Sequence, residues 1–164
     1  MASGAIVYYL LIYSLSTMGI FGVLVWLSRR GHDVETLDDL KGLMKHDPLP
    51  AYTLLFFLLS LGGVPPLAGF WGKWYIFIAL SQSGHLGLAL TLAITSVVAV
   101  FYYMKIAWVV AFQEPDSSRM GEPAKAEVGV SFSLAIAVGL SVLLGVAPNL
   151  VQPLMSAAST LIRP

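Results

Sequence analysis

The chain has 164 residues, of which 57% are hydrophobic and only 11% are charged. Soluble domains carry about 25% charged residues, so this composition indicates a helical integral membrane protein. The 9 basic residues balance the 9 acidic ones, which argues against a nucleic-acid partner. There is no cysteine, which excludes disulfides and thiolate metal sites, and His32, His46 and His85 lack the spacing of metal ligands.

The first long apolar stretch, residues 5–27, contains no charge and is long enough to cross a ~30 Å hydrocarbon core as a helix. Four of its polar side chains recur at helical spacing on one face: Tyr9, Tyr13, Ser16 and Thr17. We interpret this face as a packing surface, with a proton path as the alternative. Gly19 and Gly22 would allow a neighbouring helix to approach closely.

Residues 28–50 form the most charged segment of the chain. Thr36 and Asp39 have the spacing of a capping box in which Asp replaces the usual Glu. Four apolar side chains would then line one side of a short helix that ends at Asp47: Leu37, Leu40, Leu43 and Met44. The pattern predicts an amphipathic helix at the membrane interface, and a solvated loop with one helical turn is the alternative.

Residues 51–81 form the second apolar stretch, and Lys73 is its only charge. A continuous helix of this length would measure roughly 45 Å, which is too long to stand upright in a bilayer. Pro65 and Pro66 lie near its middle and break helical hydrogen bonding. We predict half-helices over about 51–64 and 68–81, with a non-helical interruption within 62–69. A plain turn between two short spans is the alternative.

Lys73 follows this break at a depth where an ammonium group is costly. A lysine at mid-bilayer costs roughly 2.5–3.5 kcal/mol on insertion scales, and such residues are usually functional. Broken backbone at that depth is tolerated only where it is buried in protein or lines a wet cavity. The sequence therefore predicts a functional site at the break.

Residues 88–112 carry polar side chains along one stripe of a predicted helix, which could relay protons: Thr91, Thr95, Tyr102 and Lys105. Lys105 lies near the helix end, so it either snorkels to the interface or has a buried role. A last apolar span covers residues 128–147 after a polar loop at 113–127.

The fold class is therefore all-α, a polytopic membrane helix bundle with about four transmembrane helices, one discontinuous at Pro65-Pro66. We expect a single membrane domain over residues 1–164. Its helices cover about 5–27, 51–81 with a break near 65, 88–112 and 128–147. Loops 28–50 and 113–127 hold six basic residues and are predicted to face the cytoplasm together: Arg29, Arg30, Lys41, Lys45, Arg119 and Lys125.

The segment Leu-Phe-Phe-Leu-Leu-Ser-Leu-Gly-Gly-Val-Pro-Pro-Leu-Ala-Gly-Phe-Trp-Gly-Lys-Trp-Tyr-Ile-Phe at 55–77 resembles the hallmark of a known family. This family comprises the antiporter-like membrane subunits of proton-translocating NADH:quinone oxidoreductase, respiratory complex I. Residues 8–25, 37–43 and 100–106 also resemble it, and subunit N is the most similar member. The resemblance covers residues 4–147 and implies the C-terminal part of the subunit, its last four of fourteen helices.

The resemblance implies that Lys73 occupies the proton-carrying lysine position of the broken helix, and that Lys105 matches a basic position on the next helix. The first repeat of the family, with its glutamate–lysine pair, is not in this sequence. The chain is compatible with a fragment, a split subunit or a truncated reading frame, and the missing N-terminal helices would then belong to another chain.

The leading hypothesis is a part of a proton-translocating membrane-arm subunit, in which Lys73 takes and releases a proton and Lys105 with water along the polar stripe acts as relay. This makes the chain a translocase subunit without redox chemistry of its own. We expect no cofactor or metal here, and NADH, FMN, iron–sulfur clusters and quinone on partner subunits. The expected partners are other membrane-arm subunits and the lipid bilayer, in a bacterial-type inner (plasma) membrane crossed several times.

Two alternatives remain open from the sequence. The first is a subunit of a multi-subunit cation/proton antiporter, which shares the broken-helix lysine. The second is a structural packing subunit in which Lys73 is vestigial.

Overall fold

A computed structural model describes residues 2–28, 34–114 and 128–151 together with positions 153 and 157. Those ranges contain α-helices and two short 3-10 turns, and no strand. The helices are α1 (Ala2–Ser28), α2 (Leu43–His46), α3 (Pro48–Gly62), α4 (Ala68–Gln82), α5 (Leu86–Phe112) and α6 (Val128–Val146). The 3-10 turns are Leu37–Leu40 and Pro148–Val151. Within the described ranges, α1, α5 and α6 are long and apolar enough to cross a membrane, which confirms the predicted all-α membrane bundle.

The second apolar stretch is interrupted where the two prolines predicted it. α3 ends at Gly62 and α4 begins at Ala68, so the break falls inside the predicted window of 62–69. The Pro65-Pro66 peptide bond is cis. Each half has 15 residues and is about 22 Å long, less than the ~30 Å of a hydrocarbon core. Only the two halves together have the length of a span.

The two half-helices run one after the other along α1, antiparallel to it. On the C-terminal half of α1, Ser16 Oγ lies 3.4 Å from Ser60 Oγ of α3. On its N-terminal half, the ring of Tyr9 lies against Gly72 of α4. The break therefore lies between the levels of Ser16 and Tyr9, opposite the middle part of α1.

In the part of the chain that the structure describes, α5 and α6 complete the bundle. α5 returns beside both α3 and α4, with its C-terminal end near the loop that precedes α3. α6 runs antiparallel to α1, since Leu134 lies beside Gly22 and the carbonyl of Leu144 lies beside Tyr8. The direction of the chain thus alternates from α1 through the α3–α4 pair and α5 to α6.

The largest core cluster lies where α1, α3 and α5 meet, away from the break. Val23, Leu54 and Val110 are fully or almost fully buried in it. The buried ring of Phe57 lies directly over Gly19, where an added Cβ would overlap the ring. In a bilayer, helices associate through such close packing rather than through the hydrophobic effect, so this glycine has the packing role that the sequence predicted.

The segment between α1 and α3 differs from the predicted single helix. Asp39 accepts a hydrogen bond from the backbone N–H of Thr36 at 2.8 Å, as the capping pattern predicted. However, the helix is divided into the 3-10 turn Leu37–Leu40 and α2, because Gly42 between them adopts a φ of 69°. Leu40 is buried in the core, so this segment is docked on the bundle.

α3 begins three residues earlier than predicted, at Pro48, because a proline is well suited to the first turn of a helix. Lys45 forms an ion pair of 2.6 Å with Glu114. The start of α3 and the end of α5 therefore lie at the same end of the bundle. The basic residues Arg29, Arg30, Arg119 and Lys125, on which part of the predicted orientation depends, lie outside the described residues.

Candidate functional site at the helix break

α3 ends in a Schellman motif that accounts for some of its terminal carbonyls. Gly63 has a φ of 84°, a left-handed conformation that glycine adopts without steric cost. Its N–H donates to the carbonyl of Ser60 at 2.9 Å, and the N–H of Val64 donates to the carbonyl of Leu59 at 3.1 Å. The last two carbonyls of α3 are not part of this motif and need other donors.

Lys73 supplies the donors for those two carbonyls. Its Nζ donates to the carbonyl oxygen of Leu61 at 2.8 Å and to that of Gly62 at 3.0 Å. These oxygens are the negative end of the α3 dipole, so an ammonium group is stabilised there. A lysine of α4 thus caps the preceding half-helix, and its acceptors are backbone carbonyls rather than a carboxylate.

Two glycines leave room for this arrangement. A Cβ at Gly63 would lie 3.2 Å from Cδ and 3.3 Å from Nζ of Lys73. A Cβ at Gly69 would overlap the carbonyl oxygen of Ser60, because the first turn of α4 crosses the last turn of α3 in direct contact. The glycines around the prolines therefore allow the two halves to approach until the lysine reaches the carbonyls.

Lys73 borders a cavity of about 240 Å³ between α1, α3, α4 and α5. It is the more polar of two cavities beside this lysine (the polar cavity), although apolar groups form most of its surface. Hydroxyl-bearing side chains line much of it: Tyr9, Tyr13, Ser60, Thr95, Ser96 and Tyr103. A water molecule takes about 30 Å³ in the liquid, so a cavity of this size with hydroxyl groups in its walls has room for several. The cavity therefore provides hydroxyl groups and space for water beside the ammonium group.

A second cavity, of about 370 Å³, lies on another side of Lys73 and is almost entirely apolar. Phe70, Trp74 and Phe77 of α4 form one wall, and their rings are stacked with centroids 6.0 Å apart in each successive pair. Ser96 borders both cavities. The amine group is thus located between a polar compartment and an apolar one.

The predicted site residues are only partly brought together. Pro65 and Pro66 form the break and are exposed. Thr95 lines the polar cavity with Lys73, but its hydroxyl donates to the carbonyl of Thr91 at 2.9 Å in its own helix.

The other residues of the predicted stripe lie elsewhere on α5. Thr91, Tyr102 and Lys105 are exposed and line neither of the two cavities beside Lys73.

Apart from Thr95, the side chains of α5 that line the cavity beside Lys73 were not predicted. They are Leu92, Ser96, Ala99 and Tyr103, which follow a spacing of four, three and four residues. Tyr9 and Tyr13 of α1 also line the cavity, although the sequence favoured a packing role for them. The sequence did contain a signal for this face. A second stripe of α5, less polar than the predicted one, contains one serine and one tyrosine.

The chemistry available at this site is hydrogen bonding and proton exchange among an amine, hydroxyl groups and carbonyls. In the part of the chain that the structure describes, no group of three His, Asp or Glu side chains is placed to hold a metal ion.

A family model described as "NADH:quinone oxidoreductase/Mrp antiporter, TM" matches residues 1–99, which include the break and Lys73. The chain belongs to this family. It is an integral membrane protein that crosses the bilayer several times, as the apolar helices also indicate.

Curated relatives and a solved structure agree with this membership. NADH-quinone oxidoreductase subunit N of Paramagnetospirillum magneticum is 40% identical over 136 residues, which cover 83% of this chain and 27% of that protein. Subunit N 1 of Koribacter versatilis is 42% identical over 139 residues, or 84% of this chain and 26% of that protein. A chain of respiratory complex I from Thermus thermophilus with bound Aureothin has a TM-score of 0.77 at 33% identity, covering 92% of this chain and 34% of that chain. This chain thus spans about a third or less of the relatives' length.

Proposed function

We propose that this chain is the C-terminal part of a subunit N-like membrane-arm subunit of proton-translocating NADH:quinone oxidoreductase, in which Lys73 carries the proton. The observation that carries the proposal is the position of the Lys73 amine, which lies on two helix-end carbonyls and beside a hydroxyl-lined cavity. The names of the relatives support the complex, and the geometry of the break supports the role of the lysine.

The depth of Lys73 is consistent with a proton carrier. α1 has 27 residues and is therefore about 40 Å long. Gly72, the neighbour of Lys73, lies against Tyr9, roughly 10 Å from the N-terminal end of α1 at 1.5 Å per residue. If α1 spans the bilayer, the amine lies inside the hydrocarbon core, where a charge needs local acceptors.

The surroundings of Lys73 provide hydrogen-bond acceptors for all three N–H groups of its ammonium. A lysine ammonium has three N–H donors, and two of them are used by the carbonyls of Leu61 and Gly62. The third is available to the polar cavity, where water or the hydroxyl oxygens of Ser96 and Tyr103 can accept its hydrogen bond and pass a proton on by releasing one of their own. Loss of the third proton leaves a neutral amine, and its return restores the ammonium.

Other components of the reaction belong to other chains in this proposal. NADH, FMN, iron–sulfur clusters and quinone are placed on partner subunits, and the partners are the other membrane-arm subunits in a bacterial plasma membrane. Thr91, Tyr102 and Lys105 lie on an exposed face of α5, where a neighbouring chain or the helices of the absent repeat would cover them. Lys105 would act there as a relay or reach the interface by snorkelling.

A cation/proton antiporter subunit is the second candidate, because the matching family includes Mrp antiporters. Purification of the tagged chain from its native membranes distinguishes the two. Flavin and iron–sulfur subunits in the purified material support the complex I assignment. Their absence, together with a sodium-dependent growth defect of the deletion strain, supports the antiporter.

A purely structural role for Lys73 is tested by Lys73→Met, with Lys45→Met as the control because Lys45 pairs with Glu114 at an exposed position. We expect Lys73→Met to abolish the proton translocation attributed to this subunit and Lys45→Met to preserve it. Full translocation by an assembled Lys73→Met variant would contradict the carrier role.

A further inference from the structure

The C-terminal end of α6 contacts the break between α3 and α4. It lies against the face of α4 opposite to Lys73. Its last carbonyls have side-chain donors from two different helices. The hydroxyl of Tyr8 in α1 donates to the carbonyl of Leu144 at 2.9 Å, and the indole N–H of Trp71 in α4 donates to that of Gly145 at 2.9 Å. The preceding carbonyl, of Leu143, accepts from the backbone N–H of Ala147 at 2.9 Å. This end of α6 is therefore capped mainly by tertiary contacts.

The same end of α6 is in contact with the backbone of the break. A Cβ at Gly145 would lie 2.9 Å from the carbonyl oxygen of Pro66 and 2.9 Å from the backbone nitrogen of Ala68. No real Cβ tolerates such distances, so Gly145 allows α6 to touch the backbone between the two half-helices. Tyr8 is fully buried here, and its ring packs edge-on against Tyr75 with centroids 5.4 Å apart.

Two helix C-termini, those of α3 and α6, thus approach the same short break with their negative dipole ends. The donors are divided between them. Lys73 caps α3 through Leu61 and Gly62, whereas neutral donors cap α6. If the neutral donors were removed, the carbonyls of α6 would be left without their partners, and a cost of this kind favours rearrangement of the break.

Trp71 and Lys73 lie two positions apart on α4, which separates them by about 200° around the helix. A hydrogen bond that fixes Trp71 on α6 therefore also fixes the rotation that turns Lys73 towards α3. We propose that Tyr8, Trp71 and Gly145 are positioning residues that hold the end of α6 against the break and thereby hold Lys73 on the α3 carbonyls. The proposal rests on the proposed carrier function of Lys73.

The first test removes the donors while keeping an aromatic side chain at each position, with Trp71→Phe and Tyr8→Phe made singly and together. Trp108→Phe and Tyr52→Phe are the matched controls, because both of those side chains are exposed. The measurement is the number of protons translocated per NADH oxidised by the assembled complex in membrane vesicles. We expect the double variant to lower this ratio at least about twofold, with NADH oxidation and assembly unchanged, and the controls to match the wild type.

A second measurement reports the position of residue 73 without using translocation. The chain has no cysteine, so Lys73→Cys can be labelled with a positively charged thiosulfonate reagent in the full chain in membranes. We expect Trp71→Phe or Gly145→Ala to change the labelling rate about threefold or more. Gly139→Ala is the control on the same helix, because a Cβ there meets nothing within 4 Å.

The outcomes separate the two proposals. If Lys73→Met translocates normally while Trp71→Phe and Gly145→Ala still change the labelling of position 73, the carrier function is wrong and the positioning contacts are confirmed as structural. If Lys73→Met abolishes translocation but the donor variants behave like their controls in both measurements, the positioning proposal is overturned and the carrier function stands.

Discussion

Replacing Lys73 with arginine separates the charge of the side chain from its ability to release a proton. The guanidinium has enough donors to cap the carbonyls of Leu61 and Gly62, which now accept from Nζ at 2.8 and 3.0 Å. A hydrogen bond to a charged group contributes about 1.5–3 kcal/mol, so the two together amount to roughly 3–6 kcal/mol. Arginine retains these contacts, whereas Lys73→Met loses them.

We expect Lys73→Arg to impair the release and uptake of a proton by this side chain. The reference pKa of arginine is at least about two units above that of lysine, and each unit corresponds to about 1.4 kcal/mol. Deprotonation in the same environment therefore becomes at least ~100-fold rarer. In the proposed complex, we expect Lys73→Arg to assemble normally and to leave NADH oxidation unchanged, while fewer protons are translocated per NADH than in the wild type.

The assay uses inverted membrane vesicles in which NADH oxidation and acidification are recorded together, and blue native gels report assembly. Lys73→Met serves as the comparison, because it lacks both the charge and the exchangeable proton. An arginine variant that translocates at the wild-type ratio would refute the reasoning, since a permanently charged side chain cannot carry the proton. Equal assembly defects in both variants would instead indicate that the side chain must be a lysine for folding.

Three further predictions follow from the geometry. Gly69→Ala should prevent the two half-helices from packing and reduce the amount of chain in the membrane, because overpacking of this kind costs about 1–3 kcal/mol or more; a wild-type amount on immunoblots would contradict the close crossing. Tyr103→Phe should lower translocation while Tyr102→Phe leaves it unchanged, since only the first lines the cavity; the reverse result in the vesicle assay would restore the stripe predicted from the sequence. Ser83→Cys and Glu114→Cys should be labelled by impermeant reagents from opposite sides of the membrane, and labelling of both from one side would rule out the alternating order of the helices.

The break was predictable because proline acts locally. Pro65 and Pro66 prevent helical hydrogen bonding wherever the surrounding chain goes, and the length of the apolar stretch required an interruption. The division of the short helix before α3 was less predictable, because it depends on Gly42 adopting a positive φ, which glycine can adopt or avoid. Existence of the elements thus followed from composition and length, whereas their ends depended on individual backbone angles.

The acceptors of Lys73 could not be predicted from the sequence. A lysine without a carboxylate partner was evident, but its bonds to Leu61 and Gly62 depend on the angle at which α4 leaves the break. The face of α5 that points towards the site could not be predicted from the sequence either. Its most polar stripe was predicted to form the relay, whereas the contacts with α3 and α4 turn Ser96 and Tyr103 towards the site. Which face of a helix points inward in a bilayer is decided by packing with its neighbours rather than by polarity alone.

The apolar cavity beside Lys73 gives the site an insulated side. Apolar groups form almost all of the lining of this cavity, so it offers water few hydrogen-bond partners. The stacked rings of Phe70, Trp74 and Phe77 form one of its walls. A proton leaving the amine in this direction would have to enter a medium with no hydroxyl chain to conduct it. For the proposed proton carrier, exchange through this apolar cavity is therefore disfavoured relative to exchange through the hydroxyl-lined cavity.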